Sequence, residues 1–149
     1  MDRRKKTIFI EGAISPVFIA DCIAKHAAKD NIGAHSIFLG QVRADNVGDK
    51  TVCSIDYSCY QELADKKMEE IRESIFSKYR LVCMHVYHSL GTIRVGEICL
   101  FVFTSSAHRN AAMNACEEVV ERLKKELPIW GKEQFEDESH QWKVNIFNR

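Results

Sequence analysis

The chain is short of several things, and each shortage excludes a class of protein. No stretch approaches the roughly 20 apolar residues that a membrane-spanning helix needs. The opening residues, MDRRKKTIFIEG, carry a basic cluster but only the apolar run Ile8-Phe9-Ile10 before Glu11, too short for a signal-peptide core, so a cytoplasmic protein is expected. An excess of one charge is also missing. Lys+Arg and Asp+Glu both number 21, which removes any chain-wide attraction to nucleic acid or acidic membrane and makes any anion specificity local. The six cysteines (22, 53, 59, 83, 99 and 116) include no CxxC pair. Without a secretory core they are expected to be reduced, mostly buried thiols, and the lack of paired His and Cys spacing argues against a zinc site. Prolines number two, Pro16 and Pro128, and both fall at helix boundaries. There are no repeats, linkers or low-complexity segments. At 149 residues the expectation is one domain, 1–149, with 1–6 as a flexible basic start.

What is present alternates between strand and helix signals. Lys6 to Glu11 reads as a first strand; Ser15-Pro16 opens a helix, with Ser15 as N-cap, that runs to about Ala28. Residues 33–43 and 51–60 read as two strands of a hairpin joined by the polar turn 44–50. In the second, the two-residue period puts Cys53, Ile55, Tyr57 and Cys59 on one face and Ser54, Asp56 and Ser58 on the other. Ala64, Met68, Ile71, Ile75 and Tyr79 recur at steps of three and four, which predicts an amphipathic helix over 61–79. Residues 81–91 and 97–106 are apolar strands around a turn from Gly91 to Gly96, and the second, apolar on both faces, is predicted to be central. A long helix follows from about Ala107 to Leu127, stopped by Pro128, and a short strand is expected over Gln141 to Ile146. Hairpins alternating with helices favour an α+β domain with three helices and a mixed, mainly antiparallel sheet.

The long helix has two informative ends. At its start, Ser105 or Ser106 as N-cap would leave His108 and Arg109 in the first turn, where the helix dipole disfavours cations unless an anion compensates. Backbone N–H groups, Ser hydroxyls, His and Arg converging there suit a phosphate or carboxylate; a surface Arg paired with a nearby acid fits equally well. At its end, Ala112, Cys116, Val119, Leu123 and Leu127 form the buried stripe. Lys125 lies opposite that stripe with Glu121 four residues earlier, a solvated i,i+4 partner. Lys124 lies at its border beside Val120 and Met113, where its amine can aim into a groove and partial burial would lower its pKa; a snorkelling structural lysine is the plainer alternative. Beyond Pro128, Trp130 offers a large flat surface, and Gly131 is read as a sharp turn that returns Lys132 and Glu133 to the same neighbourhood.

The succession GQVR, YQELADKKMEEI, HSLGTIRVGE, SSAHRNA, CEEVVERLK and PIWGKE, in that order across about residues 7 to 146, closely resembles the large, catalytic subunit family of molybdopterin synthase. The resemblance implies an α/β-hammerhead fold and a homodimer that docks, at each end, a ubiquitin-like small subunit whose Gly-Gly tail carries a thiocarboxylate. It implies transfer of two sulfurs to cyclic pyranopterin monophosphate, forming the dithiolene of molybdopterin. No resident cofactor or metal, and no nucleic-acid or membrane partner, is expected. Matching positions put Gln41, Val42, Arg43, His108, Arg109, Lys124, Gly131, Lys132 and Glu133 around the substrate. Lys124 stands at the family's catalytic lysine. Both reactants are anions, so a sheltered cationic site suits them. Arg43, His108 and Arg109 would hold the phosphate, and Lys124 would stabilise developing charge or donate a proton.

Two positions depart from the family pattern. Pro-Ile-Trp-Lys-Lys-Glu is here Pro-Ile-Trp-Gly-Lys-Glu, with Gly131 at the first lysine, and His-Arg-x-Gly is here His88-Ser89-Leu90-Gly91. The expectation is that Lys132, one residue or about 3.8 Å along the backbone, takes over part of the missing lysine's catalytic role. A dimeric binding module that docks the small subunit but has lost turnover through Gly131 is the alternative. An RNA- or nucleotide-binding domain is disfavoured by zero net charge and the absence of an aromatic-basic strand motif.

Overall fold

The computed structural model describes residues 7–143. Within them the chain runs β1 (Phe9–Glu11), α1 (Pro16–Lys25) with a 3-10 turn at His26–Ala28, β2 (Ala34–Gln41), β3 (Asn46–Val47) and β4 (Lys50–Cys59). It continues through α2 (Gln61–Lys78), β5 (Cys83–Arg94), β6 (Ile98–Ser106), α3 (Arg109–Glu126), β7 (Ile129–Phe135) and β8 (His140–Trp142). The expected basic start at 1–6 and the 144–146 part of the last strand lie outside the described residues.

Local signals set the helices. Ser15 caps α1 by accepting from the Val17 N–H at 3.1 Å, with Pro16 in the first turn. Ala64, Met68, Ile71 and Ile75 are the buried residues of α2, and α3 buries Ala112, Ala115, Cys116, Val119, Val120 and Leu123. These two faces meet Met84, Val86, Leu100 and Val102 of the sheet in the largest core cluster. A second cluster, with Ile14, Ile19, Phe101 and Phe103, lies under α1; a third joins Val42, Val52, Ile55, Ile93, Cys99 and Phe135. Truncating a fully buried side chain such as Ile71 should cost about 2–5 kcal/mol.

The strands form a mainly antiparallel sheet in the order β2-β6-β5-β4-β7-β8, with β1 parallel to β5 and β3 paired to β4. As its continuous apolar run predicts, β6 is interior, flanked by β2 and β5. The 12-residue β5 links two halves of the sheet: Cys83–His88 pairs with β6, and Gly91–Arg94 pairs with β4. Gly91 sits at the change of partner with φ +87°, a backbone conformation that favours glycine; a Cβ there would also displace the Glu11 carboxylate, 2.6 Å away.

Four expectations need correction. The strands 34–41 and 50–59 are not hairpin partners: β2 pairs with β6, while β4 pairs with β5 and β7. An apolar central strand needs neighbours on both edges, and β2 supplies one; the true hairpin is the small β3–β4 ladder, Asn46↔Thr51 and Val47↔Lys50. The simple alternation along β4 breaks at a register shift between Val52 and Ser54, which leaves Cys53 exposed while Val52, Ser54 and Ile55 are buried. Ser105 and Ser106 do not cap α3. They complete β6 as buried residues, Ser105 Oγ 2.7 Å from His35 Nδ1 and Ser106 Oγ donating to the Arg80 carbonyl at 2.7 Å, and His108 occupies the N-cap without a side-chain cap bond. Gly131 makes no turn: it pairs with Tyr57 in the middle of β7, a strand hidden by Pro128 and the charged residues that follow.

Candidate active site

A cavity of about 370 Å³ opens at the junction of the two sheet halves, between the end of α3 and strands β2, β4, β5 and β7. Leu100, Leu123, Leu127 and Ile129 form its apolar wall, and Trp130 and Trp142 are half-exposed rings at its margin. Its charged residues are Lys124 and Lys143, and among the described residues no carboxylate lines it. An adjoining cavity of about 240 Å³ shares Gly40, Gln41, Lys124 and Lys143, and adds Val42, Arg43, Asp45, Ile55 and Glu133.

Lys124 leaves the last turn of α3 at the border of the buried stripe. Part of its side chain stays open to solvent, yet desolvation of the amine lowers its pKa, and Lys143 and, more weakly, Arg43 reinforce the shift against opposing pulls from Cys99 and Glu121. Among the described residues no acid lies within ion-pairing distance of it. A cation held without a matching anion beside a second cation is an arrangement that a bound anion relieves.

His88 and Tyr57 complete the wall. Burial lowers the His88 pKa to about 4, assisted by Lys124 and Lys143 and opposed by a hydrogen bond from Nδ1 to the Ser89 carbonyl at 2.8 Å. A carbonyl only accepts, so Nδ1 carries the proton and Nε2 keeps its lone pair in the neutral ring. Tyr57 stacks edge-on to it at 5.1 Å and donates to Cys99 Sγ at 3.6 Å; burial raises its pKa strongly, so the hydroxyl stays protonated. Next to His88, Ser89 is completely buried and its Oγ has no partner among the described residues. Ser89 lines neither cavity.

The site residues expected from sequence fall into three groups. Gln41, Val42, Arg43, Lys124, Gly131 and Glu133 are gathered around the two cavities, with Val42 serving chiefly as core and Arg43 engaged at 3.2 Å by Asp45. Glu133 is buried and accepts from Gln141 Nε2 at 3.1 Å. Lys132 lines neither cavity; it pairs with Asp56 and Trp142 across the strands, and its ammonium lies 5.8 Å from the Trp142 ring centroid. Extended backbone at Gly131 does not re-aim it. His108 and Arg109 are exposed at the opposite end of α3, about 22 Å along the axis from Lys124 at 1.5 Å per residue. A Cβ at Gly131 would meet Ile55 Cγ2 at 3.0 Å and Tyr57 Cε1 at 3.2 Å, so a larger residue there must push those side chains aside. His88, Tyr57 and Lys143 were not anticipated. The only trace of them in the sequence is a His and a Tyr within apolar strand patterns and a Lys after Trp142.

Fold and cavity together define an α+β domain with a lysine-lined pocket. The chain matches the family model described as MoaE protein over residues 14–126, and it belongs to that family. It is 36% identical over 115 residues to the molybdopterin synthase catalytic subunit of Pyrococcus abyssi, covering 77% of this chain and 76% of that one. It is 33% identical over 138 residues to the protein of the same name from Aspergillus clavatus, covering 93% and 69%. The crystal structure of molybdopterin synthase from Staphylococcus aureus superposes with a TM-score of 0.82 at 26% identity, covering 96% of this chain and all of that one. A complex of subunits 1 and 2 of the Helicobacter pylori molybdopterin-converting factor shares the fold, with a TM-score of 0.78 at 20% identity.

Proposed function

We propose that this chain is the catalytic subunit of a molybdopterin synthase, a sulfurtransferase. It takes sulfur from the thiocarboxylated C-terminus of a ubiquitin-like small subunit and delivers it to cyclic pyranopterin monophosphate to build the dithiolene. The observation that carries this reading is the cavity lined by Lys124 and Lys143 with no carboxylate among the described residues. Two anionic reactants can be brought together only where cations offset their repulsion, and a partly desolvated lysine acts more strongly on developing charge than one in water. Lys124, with its lowered pKa, is also suited to deliver a proton. Gln41 and Arg43 border the same space, and neutral His88 offers its Nε2 lone pair, with Tyr57, whose hydroxyl donates to Cys99 Sγ, packed edge-on beside it.

The test is reconstitution with a thiocarboxylated small subunit and the cyclic pterin. Dithiolene formation by the wild-type chain, lost in Lys124→Ala, supports the reading. Tight docking of the small subunit without any dithiolene would sink it and leave a binding module.

His108 and Arg109 join this site only from a second copy. A two-fold dimer that places the start of one α3 near the end of the other would make two shared sites. Mixing inactive Arg109→Ala with inactive Lys124→Ala protein, after subunit exchange, should then recover about a quarter of wild-type activity, because about half the dimers are mixed and each holds one intact site. No recovery despite exchange confirmed by mass would separate the two ends.

A further inference from the structure

On the sheet face covered by α1, and sharing no residue with the lysine cavity, three side chains from two elements converge. His26 comes from the 3-10 turn that ends α1; Cys83 and His85 come from the start of β5, two residues apart and so on one face of the strand. One ligand atom from each, two imidazole nitrogens and a thiol sulfur, lies within 4.8 Å of the others. His26 and Cys83 are buried and His85 is half-buried. We propose that His26, Cys83 and His85 form a zinc-binding site that ties the end of α1 to β5.

Three features support a site rather than a chance meeting. The two Nε2 atoms stand 3.1 Å apart. Two nitrogens bound tetrahedrally to zinc at about 2.0–2.1 Å are separated by about 3.3 Å, so little movement is needed. Second, His26 Nδ1 lies 2.7 Å from the Cys22 carbonyl, to which it can only donate. That bond sets the tautomer and leaves the Nε2 lone pair aimed at His85, the role a backbone carbonyl plays behind a metal-bound histidine. Third, a cavity of about 420 Å³, lined by His26 and His85 together with Asp21, Cys22 and Lys25, opens beside the cluster and leaves room for water as a fourth ligand. Two nitrogens and a thiolate suit zinc, whereas oxygen-seeking calcium and magnesium find no carboxylate among the three ligands.

The proton balance is specific. Without metal, the short Nε2–Nε2 contact is a hydrogen bond in which His85 donates to His26. Zinc takes both Nε2 lone pairs, the His85 proton moves to Nδ1, and the Cys83 thiol gives its proton to the buffer, one proton released per zinc bound. The absence of CxxC spacing concealed the site, because one ligand comes from a helix end 57 residues before the next.

The purified chain should bind one equivalent of zinc, release one proton per metal, and unfold at higher temperature with zinc than without. Cobalt in its place should show a thiolate-to-metal charge-transfer band and the intense visible absorption of tetrahedral coordination. Cys83→Ser and His85→Gln, checked for folding by circular dichroism, should lose the band and weaken zinc by more than the roughly 10–100-fold that loss of an outer partner costs. Cys53→Ser, at an exposed position outside the cluster, should keep both. No saturable zinc uptake by the wild-type chain overturns the proposal, as does a charge-transfer band that survives Cys83→Ser.

Discussion

Along the seam between α2 and α3 the cations are matched. Lys78 meets Glu118 at 2.6 Å, Arg122 meets Glu126 at 2.6 Å and also donates to Ser74 Oγ at 2.8 Å, and Lys67 reaches both Glu70 and Glu126. At the end of the same α3, Lys124 faces Lys143 and has no acid within ion-pairing distance among the described residues. The first arrangement holds Glu118 and Glu126 below the usual carboxylate range through hydrogen bonds from Lys78 and Arg122; the second pushes a lysine down by burial and like charge. Paired surface charge adds a little stability, whereas an unpaired, partly desolvated charge costs stability.

The largest effect should come from removing the unpaired cation. Lys124→Ala should lower sulfur-transfer kcat/KM by roughly 100-fold or more, in the range seen when one charge-stabilising donor is lost, while the melting temperature holds or rises. The sign follows from linkage. A lysine whose folded pKa is depressed costs stability wherever both states are protonated, and the cost disappears as pH rises from the folded value toward 10.5. Lys124→Met should therefore be most stabilising, relative to wild type, near neutral pH. A clear loss of stability in urea unfolding at pH 7 would place Lys124 with the paired lysines and break the contrast.

Next in size is His88, on the same cavity wall. Its pKa is about 4 when folded and near 6.5 when unfolded, so the unfolded chain binds the extra proton first and stability falls as pH drops from about 6.5 toward 4. The difference is worth up to about 3 kcal/mol. His88→Phe should flatten that part of the pH profile; an unchanged profile would assign the acid sensitivity elsewhere.

On the matched side, Arg122→Ala should cost about 1 kcal/mol of stability and leave sulfur transfer unchanged. The contribution of Glu126 is present above its ordinary pKa and lost as pH falls through its lowered one, so Arg122→Ala should narrow the gap between pH 7 and pH 3 stability. Any tenfold fall in turnover would blur the division between the two regions. The smallest effect is expected from Lys125→Ala, on the exposed side of α3 next to Lys124: within about 0.5 kcal/mol in stability and no change in rate. A rate loss equal to that of Lys124→Ala would mean that helical face does not distinguish the two.

Helical faces were largely legible, though Tyr79 falls just past the end of α2 and α3 also buries Ala115 and Val120. Ala64, Met68, Ile71 and Ile75 on α2, and Ala112, Cys116, Val119 and Leu123 on α3, are where their spacing puts them, as is Ser15 under α1. The border position of Lys124 followed from the same period. The site was half legible. Residues carried by a single ordered motif, Gln41 through Arg43 and Lys124, lie together, while Lys132 fell outside because Gly131 is strand and not turn. His88, Tyr57 and Lys143 reach the cavity only because β5 changes partners at Gly91 and β8 brings Lys143 back beside Gly131, where the Lys143 N–H donates to its carbonyl at 2.8 Å.

Sequence by itself therefore determined what the backbone settles within a turn or two: which residues share a helix face, which strand is apolar enough to be interior, where a serine and a proline start a helix, and that Lys124 and Lys125 differ. Neighbours at i+3 and i+4 are set by helix geometry whatever the rest of the chain does. Tertiary structure decided that β2 lies against β6 rather than β4, that Ser105 and Ser106 belong to a strand, and that His26 meets Cys83 and His85. Those choices join residues tens of positions apart, and they are made by competition among apolar edges for the same central strands, a contest in which the spacing along the chain has no part.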